Sequence, residues 1–158
     1  MTFATSDKTN EALQAFDGFD VDTKLALLWF GYLDIKDELN PVNTTSSQRL
    51  AEAVFNQIQS MSKEEQLQAQ RDIASNADTT ISREYYGLDP SAKLDLWLRL
   101  SQGMEKGTII PMPEGYELPE NTNDFVKMVS SLDFEQRIEF TRSAVMKMGA
   151  TARPGAPV

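Results

Sequence analysis

Residues Leu25 to Leu33, reading LALLWFGYL, are nine consecutive uncharged residues that include Trp29, Phe30 and Tyr32. The run is too short to span a membrane, which takes about 20 apolar residues. Charged segments flank it: Asp20-Val21-Asp22-Thr23-Lys24 before, Asp34-Ile35-Lys36-Asp37-Glu38 after. Asp20 or Asp22 can cap a helix, and the Leu and Ala content favours helix over strand. The predicted helix covers roughly 20 to 38 and is broken by Asn40-Pro41-Val42-Asn43. Its middle is apolar on every side, which is the pattern of a buried central helix. Such a helix needs partners on two sides, so two helical layers are expected to share it.

Composition narrows the possible chemistry. A chain of 158 residues makes one domain, or two small lobes around one core. There is no Cys, which excludes thiolate nucleophiles, disulfides and Cys-based metal sites. There is no His, which removes the usual general base near neutral pH and the commonest metal ligand. A net charge of −9 argues against nucleic acid, whose phosphates need a basic patch. No signal-peptide pattern is present, so a cytoplasmic protein, not embedded in a membrane, is expected.

Residues 1–19 read as a polar arm with a short helix from Asn10 to Phe16, resting loosely on the outside of a domain at 20–149. Asn10 could cap that helix. A helix from Ser46 or Ser47 to about Met61 carries Leu50, Val54, Ile58 and Met61 at helical spacing. Ser62 with Glu65 forms a capping box for a polar-rich helix over 63–75, with Leu67, Gln70, Ile73 and Ala74 on one face. A short helix, Ile81 to Tyr86, follows. Asp89-Pro90 then starts a strong helix that Gly107 stops. The segment Thr108 to Tyr116 is rich in apolar residues and stiffened by Pro111 and Pro113, so it is expected to pack onto the domain. A helix begins at Asn121-Thr122-Asn123. Asp133 and Gln136 cap the last one, whose apolar side reads Ile138, Arg142, Val145 and Met146 up to Gly149. Residues 150–158 read as a disordered tail. The expected fold class is all-α, with seven or eight helices.

Carboxylate pairs such as Asp20/Asp22 and Glu64/Glu65 read as caps and first-turn charges. No catalytic motif or phosphate loop occurs, so no enzyme, no catalytic residue and no metal site are expected. The aromatic and Met residues say more. Trp29 and Tyr32 lie three apart on the central helix; Trp97 and Met104 share a face of the second strong helix. Pattern alone favours ordinary core; the alternative is the lining of an elongated apolar site, where Trp and Tyr give flat walls and Met fills gaps. Arg142, on an otherwise apolar face, needs a partner or a path to water.

The sequence resembles the N-terminal helical domain of the cyanobacterial orange carotenoid protein family. Leu25–Leu33 carries the likeness, joined in order by Ala74–Arg83 (ASNADTTISR), Lys93–Trp97 (KLDLW), Ile110–Tyr116 (IPMPEGY) and Arg142–Gly149 (RSAVMKMG). The match runs over roughly 20–149 and stops where that family's interdomain linker would begin. It therefore resembles the stand-alone helical carotenoid proteins. That resemblance implies two interlocked four-helix bundles sharing the central helix, and a non-covalently bound ketocarotenoid, canthaxanthin or echinenone, in a tunnel between them.

By position, the resemblance implies pigment contacts at Leu25, Leu28, Trp29 and Tyr32 on the central helix, and at Trp97, Leu98, Ser101 and Met104 on the facing one. Pro111, Met112, Pro113 and Tyr116 fall at the ring-binding end, Ile138 and Val145 on the last helix. Arg142 matches an Arg near the tunnel mouth that takes part in docking to the phycobilisome. Three positions depart: Leu98 replaces a second aromatic, Gln70 an apolar Met, and Asn76 an Arg implicated in antenna docking. The implied role is photoprotection, by singlet-oxygen quenching or dissipation of excitation energy at the phycobilisome on the thylakoid surface. A carotenoid carrier serving a C-terminal-domain homologue, or a pigment-free helical interaction module, are the competing readings. The protein is expected to be a monomer.

Overall fold

A computed structural model describes residues 7–38 and 46–150. The break at Asn40–Asn43 and the tail beyond residue 150 lie outside them. The described residues form eight α-helices and no strand: α1 (Asp7–Asp17), α2 (Val21–Ile35), α3 (Ser46–Gln59), α4 (Lys63–Ala74), α5 (Thr80–Tyr86), α6 (Pro90–Lys106), α7 (Asn123–Ser130) and α8 (Phe134–Met146). A 3-10 turn, Lys36–Glu38, extends α2, and another, Glu120–Thr122, leads into α7.

The helix starts follow the local chemistry of their caps. Asp20 accepts from the Thr23 amide and Asp89 from the Ala92 amide, both at 2.8 Å. Ser62/Glu65 and Asp133/Gln136 each close a reciprocal box. Gly107 ends α6 at φ 86°, a left-handed conformation that suits glycine.

Helices α3, α4, α5 and α6 pack as one group and α1, α7 and α8 as another, with α6 also lying on α8. Helix α2 runs between the groups, against α4 and α6. This all-α, two-bundle arrangement with a shared helix is the one expected. Helix α2 itself differs from expectation. Thr23, Ala26, Leu27, Tyr32 and Ile35 are buried, but Leu25, Leu28, Trp29, Phe30 and Leu33 are only half-buried. Of these, Leu25, Leu28 and Trp29 line cavities, and Phe30 stacks on Tyr116.

The N-terminal segment also differs. Helix α1 begins three residues before Asn10, which therefore lies within it. It packs against α7 and α8, with Ala12, Leu13 and Phe16 in the core. Phe16 is 1 % exposed and meets Phe125 at 6.0 Å and Phe140 edge-on at 5.8 Å. Aromatic burial on that scale turns the arm into part of the second bundle. In α3 the buried stripe is Ala51, Val54 and Ile58, while Leu50 is 53 % exposed. In α8 the buried stripe is Phe140, Ala144 and Val145, one step round from the expected one.

The C-terminal carbonyls of α8 have no partners within the helix and must find them elsewhere. Tyr85 OH donates to Val145 O, and buried Lys93 Nζ reaches Met146 O at 3.0 Å while lying over the Tyr86 ring. Asn76 Nδ2 donates to Lys147 O at 2.7 Å and Gly149 O at 2.8 Å. Returning bonds run from Gly149 N to Ile73 O and from Ala150 N to Ser82 O. The end of α8 is thereby clasped to α4 and α5.

A two-chambered apolar site

The loop after α6 builds one wall. Ile109 is fully buried, as the apolar composition of this loop led one to expect. The clamp that holds it is Gln66. Its Nε2 lies within reach of the carbonyls of Gln59, Met61 and Thr108, at 3.3, 3.4 and 3.1 Å, and its Oε1 accepts from the Ile110 amide at 2.8 Å. Gly103 lets the loop close in, since a Cβ there would sit 2.5 Å from the Ile109 side chain. Tyr116 in turn stacks on Phe30 at 6.4 Å.

Between this loop, α2, α4 and α6 lies a cavity of about 200 Å³. It takes in Leu25, Leu28 and Trp29 from α2, Trp97, Ser101 and Met104 from α6, and Pro111, Met112, Pro113 and Tyr116 from the loop. A second cavity, about 60 Å³, opens on the other side towards α1, α7 and α8. Tyr32, Leu98 and Ile138 line it. Leu28, Trp97 and Ser101 border both chambers and form a waist between them.

Two of the expected wall residues lie elsewhere. Val145 is fully buried in the core, and its carbonyl holds Tyr85. Arg142 is exposed and borders neither chamber. Of the expected α8 residues only Ile138 reaches the cavity, where it is joined by Arg137, Phe140 and Thr141. Residues not anticipated as walls include Leu67 and Arg71 on α4, Phe16 on α1, Phe125 on α7 and Phe140 on α8. Leu67 was legible as part of an apolar face; Phe16 and Phe140 announce themselves only as aromatics.

Trp97 is held in orientation by a relay. Its indole Nε1 donates to Tyr85 OH at 3.0 Å, and that hydroxyl donates on to Val145 O. Burial pushes the Tyr85 phenol well up, countered by the bond from Trp97, so the relay stays intact across ordinary pH.

At the rim of the larger chamber, Arg71 Nε and Nη2 fork onto Asp22 at 2.8 and 3.3 Å, tying α4 to α2. The pair is exposed, and ion pairs of that kind contribute little stability. Gln70 is 6 % exposed and makes no side-chain hydrogen bond among the described residues. Its amide atoms are not sealed off, since no solvent-inaccessible side-chain N or O among the described residues lacks a partner, so the unbonded amide keeps access to water beside the chamber.

At the smaller chamber, Tyr32 OH donates to Glu105 Oε1 at 2.6 Å, and Lys36 Nζ holds Oε2 at 2.7 Å. Burial, with the Glu105 hydrogen bond second, pushes the Tyr32 phenol from 10.0 up to about 12. A raised phenol favours the folded state fully below the unfolded value, and that support is lost as pH rises towards the folded one. Urea stability is therefore expected to fall between pH 10 and about 12, part of the fall coming from Tyr32. Tyr32→Phe should flatten this part of the profile; an unchanged slope would show that Tyr32 titrates as it does in the unfolded chain.

The lining is mostly apolar, and its two chambers adjoin at Leu28, Trp97 and Ser101. It has no nucleophile beside a base, and its polar groups sit at the rim, the waist and Gln70. It suits holding a long, flat, hydrophobic molecule more than reacting with one.

The chain matches the family described as "Orange carotenoid protein, N-terminal" over residues 2–151. It is 35% identical over 146 residues to an orange carotenoid-binding domain-containing protein of Nostoc sp. PCC 7120, covering 92% of this chain and 85% of that one. It is 36% identical over 148 residues to the orange carotenoid-binding protein of Synechocystis sp. PCC 6803, covering 93% of this chain and 47% of that relative. The chain thus spans about half the length of the Synechocystis protein. Among solved structures, it resembles the red carotenoid protein of Anabaena (Nostoc) sp. PCC 7120 binding canthaxanthin, with a TM-score of 0.79, 37% identity, and coverage of 90% of this chain and 98% of that one. The orange carotenoid protein of the same organism, also binding canthaxanthin, gives a TM-score of 0.86 at 33% identity, over 94% of this chain and 48% of that one.

Proposed function

The chain belongs to the orange carotenoid protein N-terminal family, and on that footing we propose that it binds a ketocarotenoid non-covalently, canthaxanthin or echinenone, as a photoprotective protein. The observation that carries this reading is the pair of apolar chambers meeting at Leu28, Trp97 and Ser101. To take a rod-like polyene with a ring at each end, the chambers would join and widen at that waist, since together they are smaller than such a molecule. Leu25, Trp29, Met104, Pro111, Met112, Pro113 and Tyr116 would hold one end, and Tyr32, Leu98 and Ile138 the other. Leu28, Trp97 and Ser101 would hold the middle.

The bound pigment would supply the photochemistry, accepting energy from singlet oxygen or an excited neighbour and releasing it as heat. The protein's own part is to orient, solubilise and separate pigment molecules. The clamped loop and the Trp97 relay give those walls fixed positions. The reading extends to a cytoplasmic monomer that meets phycobilisomes at the thylakoid surface, or exchanges pigment with a C-terminal-domain homologue. The exposed Arg142 guanidinium is available for such docking. The Asn76 Nδ2 is not, because both its hydrogen bonds go to the clasp.

The test is expression in cells that make ketocarotenoids. A coloured protein is expected, with a helical circular dichroism spectrum. A folded but colourless product would overturn the pigment reading. Adding the coloured protein to phycobilisomes and recording fluorescence then separates antenna quenching from singlet-oxygen scavenging alone.

A further inference from the structure

We propose that Gln70 reads an oxygen on the ligand's end ring, so that the larger chamber takes keto- or hydroxy-ringed polyenes in preference to hydrocarbon ones. The proposal rests on the pigment reading and sharpens it from a class of shape to a class of chemistry.

Two glutamines one turn apart on α4 carry the argument. Gln66 uses its donor and its acceptor on the backbone, clamping the loop. Gln70 is buried to nearly the same degree, yet it bonds to nothing among the described residues and borders the chamber. The residue is largely buried but its amide atoms stay accessible, and the chamber it borders is where a partner other than water can come from. A ring carbonyl would accept from Gln70 Nε2, and a ring hydroxyl would donate to Oε1. A hydrocarbon ring would leave both unmet, and a polar site rejects an analogue that lacks its partner.

The neighbouring Arg71 supports a neutral oxygen over an anion. Its charge is already met by Asp22, while Nη1 makes no hydrogen bond among the described residues and remains a second donor at the rim. No other lining group of the larger chamber combines a donor and an acceptor on one buried amide.

The experiment loads pigment-free protein from micelles holding equal canthaxanthin and β-carotene, which share a skeleton and differ in the ring carbonyls. Pigment is then extracted and quantified. Wild type is expected to favour canthaxanthin about tenfold more than Gln70→Met does, the discrimination that one hydrogen bond supplies. Gln68→Met, on the exposed face of α4, should keep the wild-type ratio. In the canthaxanthin complex, the carbonyl stretch by Raman should move to higher wavenumber in Gln70→Met. Without pigment, Gln70→Met should melt close to wild type, since the amide makes no hydrogen bond within the described residues that its loss would break.

Equal ratios and an unmoved carbonyl stretch would overturn the role of Gln70 and leave the pigment reading standing. A lower melting point of pigment-free Gln70→Met would make the amide structural and overturn the proposal. Uptake of neither pigment by wild type would overturn the pigment reading, and this one with it.

Discussion

Trp97→Ala is expected to lose about 3–5 kcal/mol of stability, the usual cost of truncating a buried Trp, and to retain almost no pigment. Both effects come from one position. Trp97 is 5 % exposed and borders both chambers, so its removal opens the waist as well as the core. The indole N–H also keeps the Tyr85 hydroxyl supplied with a donor. Two comparisons separate these roles. Trp97→Phe keeps a ring and loses the hydrogen bond, and should cost about 1 kcal/mol with pigment retained. Trp29→Ala removes a half-buried ring from the larger chamber only, so it should weaken pigment binding with a smaller loss of stability. Urea unfolding of pigment-free protein, and pigment-to-protein absorbance after co-expression, give the two readouts. Full pigment occupancy in Trp97→Ala would place the ligand somewhere other than the waist.

Gly149→Ala is expected to cost about 3 kcal/mol or more, adding left-handed strain of about 1–2 kcal/mol to an overpacking penalty of similar size. Gly149 has φ 89°, and a Cβ there would sit 2.9 Å from the Ser82 carbonyl oxygen and 2.9 Å from the Tyr85 ring. Neither neighbour can yield easily. The Ser82 oxygen accepts from the Ala150 amide, and Tyr85 is fully buried in the relay. In a chain of this size the melting temperature should drop by about 6–12 °C. Gly107→Ala is the matched control, with φ 86° and open space around its Cβ, so it should show the strain alone. Equal losses in the two variants would mean that the clasp gives way without cost.

Much of the fold was legible because its signals are local. Asp89-Pro90, Ser62 with Glu65, and Asp133 with Gln136 set helix starts through contacts three residues apart, and all three caps form. The apolar loop was legible as packed because large apolar side chains such as Ile109 gain by leaving water, although Pro111 and Pro113 themselves stay exposed. What was not legible depends on distant partners. Phe16 looks like part of a surface arm until Phe125 and Phe140 are placed beside it. Leu50 and Arg142 show how an apolar stripe drawn on a helix can slip by one position when both neighbouring faces hold apolar residues. Gln66 gives no sequence signal at all, since a glutamine in a polar helix looks like solvent-facing surface.

The opposite error occurred at α2. Nine uncharged residues in a row predict burial on all sides, yet half-buried Leu25, Leu28 and Trp29 face a chamber. Hydropathy reports that a side chain avoids water. It does not distinguish protein neighbours from a bound hydrophobic molecule. Gln70 is the reverse case, a polar residue whose importance shows only once its burial and its missing partner are seen together.

The clasp at the end of α8 bears on how long the folded state lasts. Asn76 joins residues 71 and 73 positions further along, so the contact closes a long loop and gains nothing until the intervening chain is in place. Such a contact is expected to form after the rate-limiting step of folding. Loosening it should then leave the refolding rate nearly unchanged and speed unfolding. The clasp therefore governs the lifetime of the native protein more than the pace of its assembly.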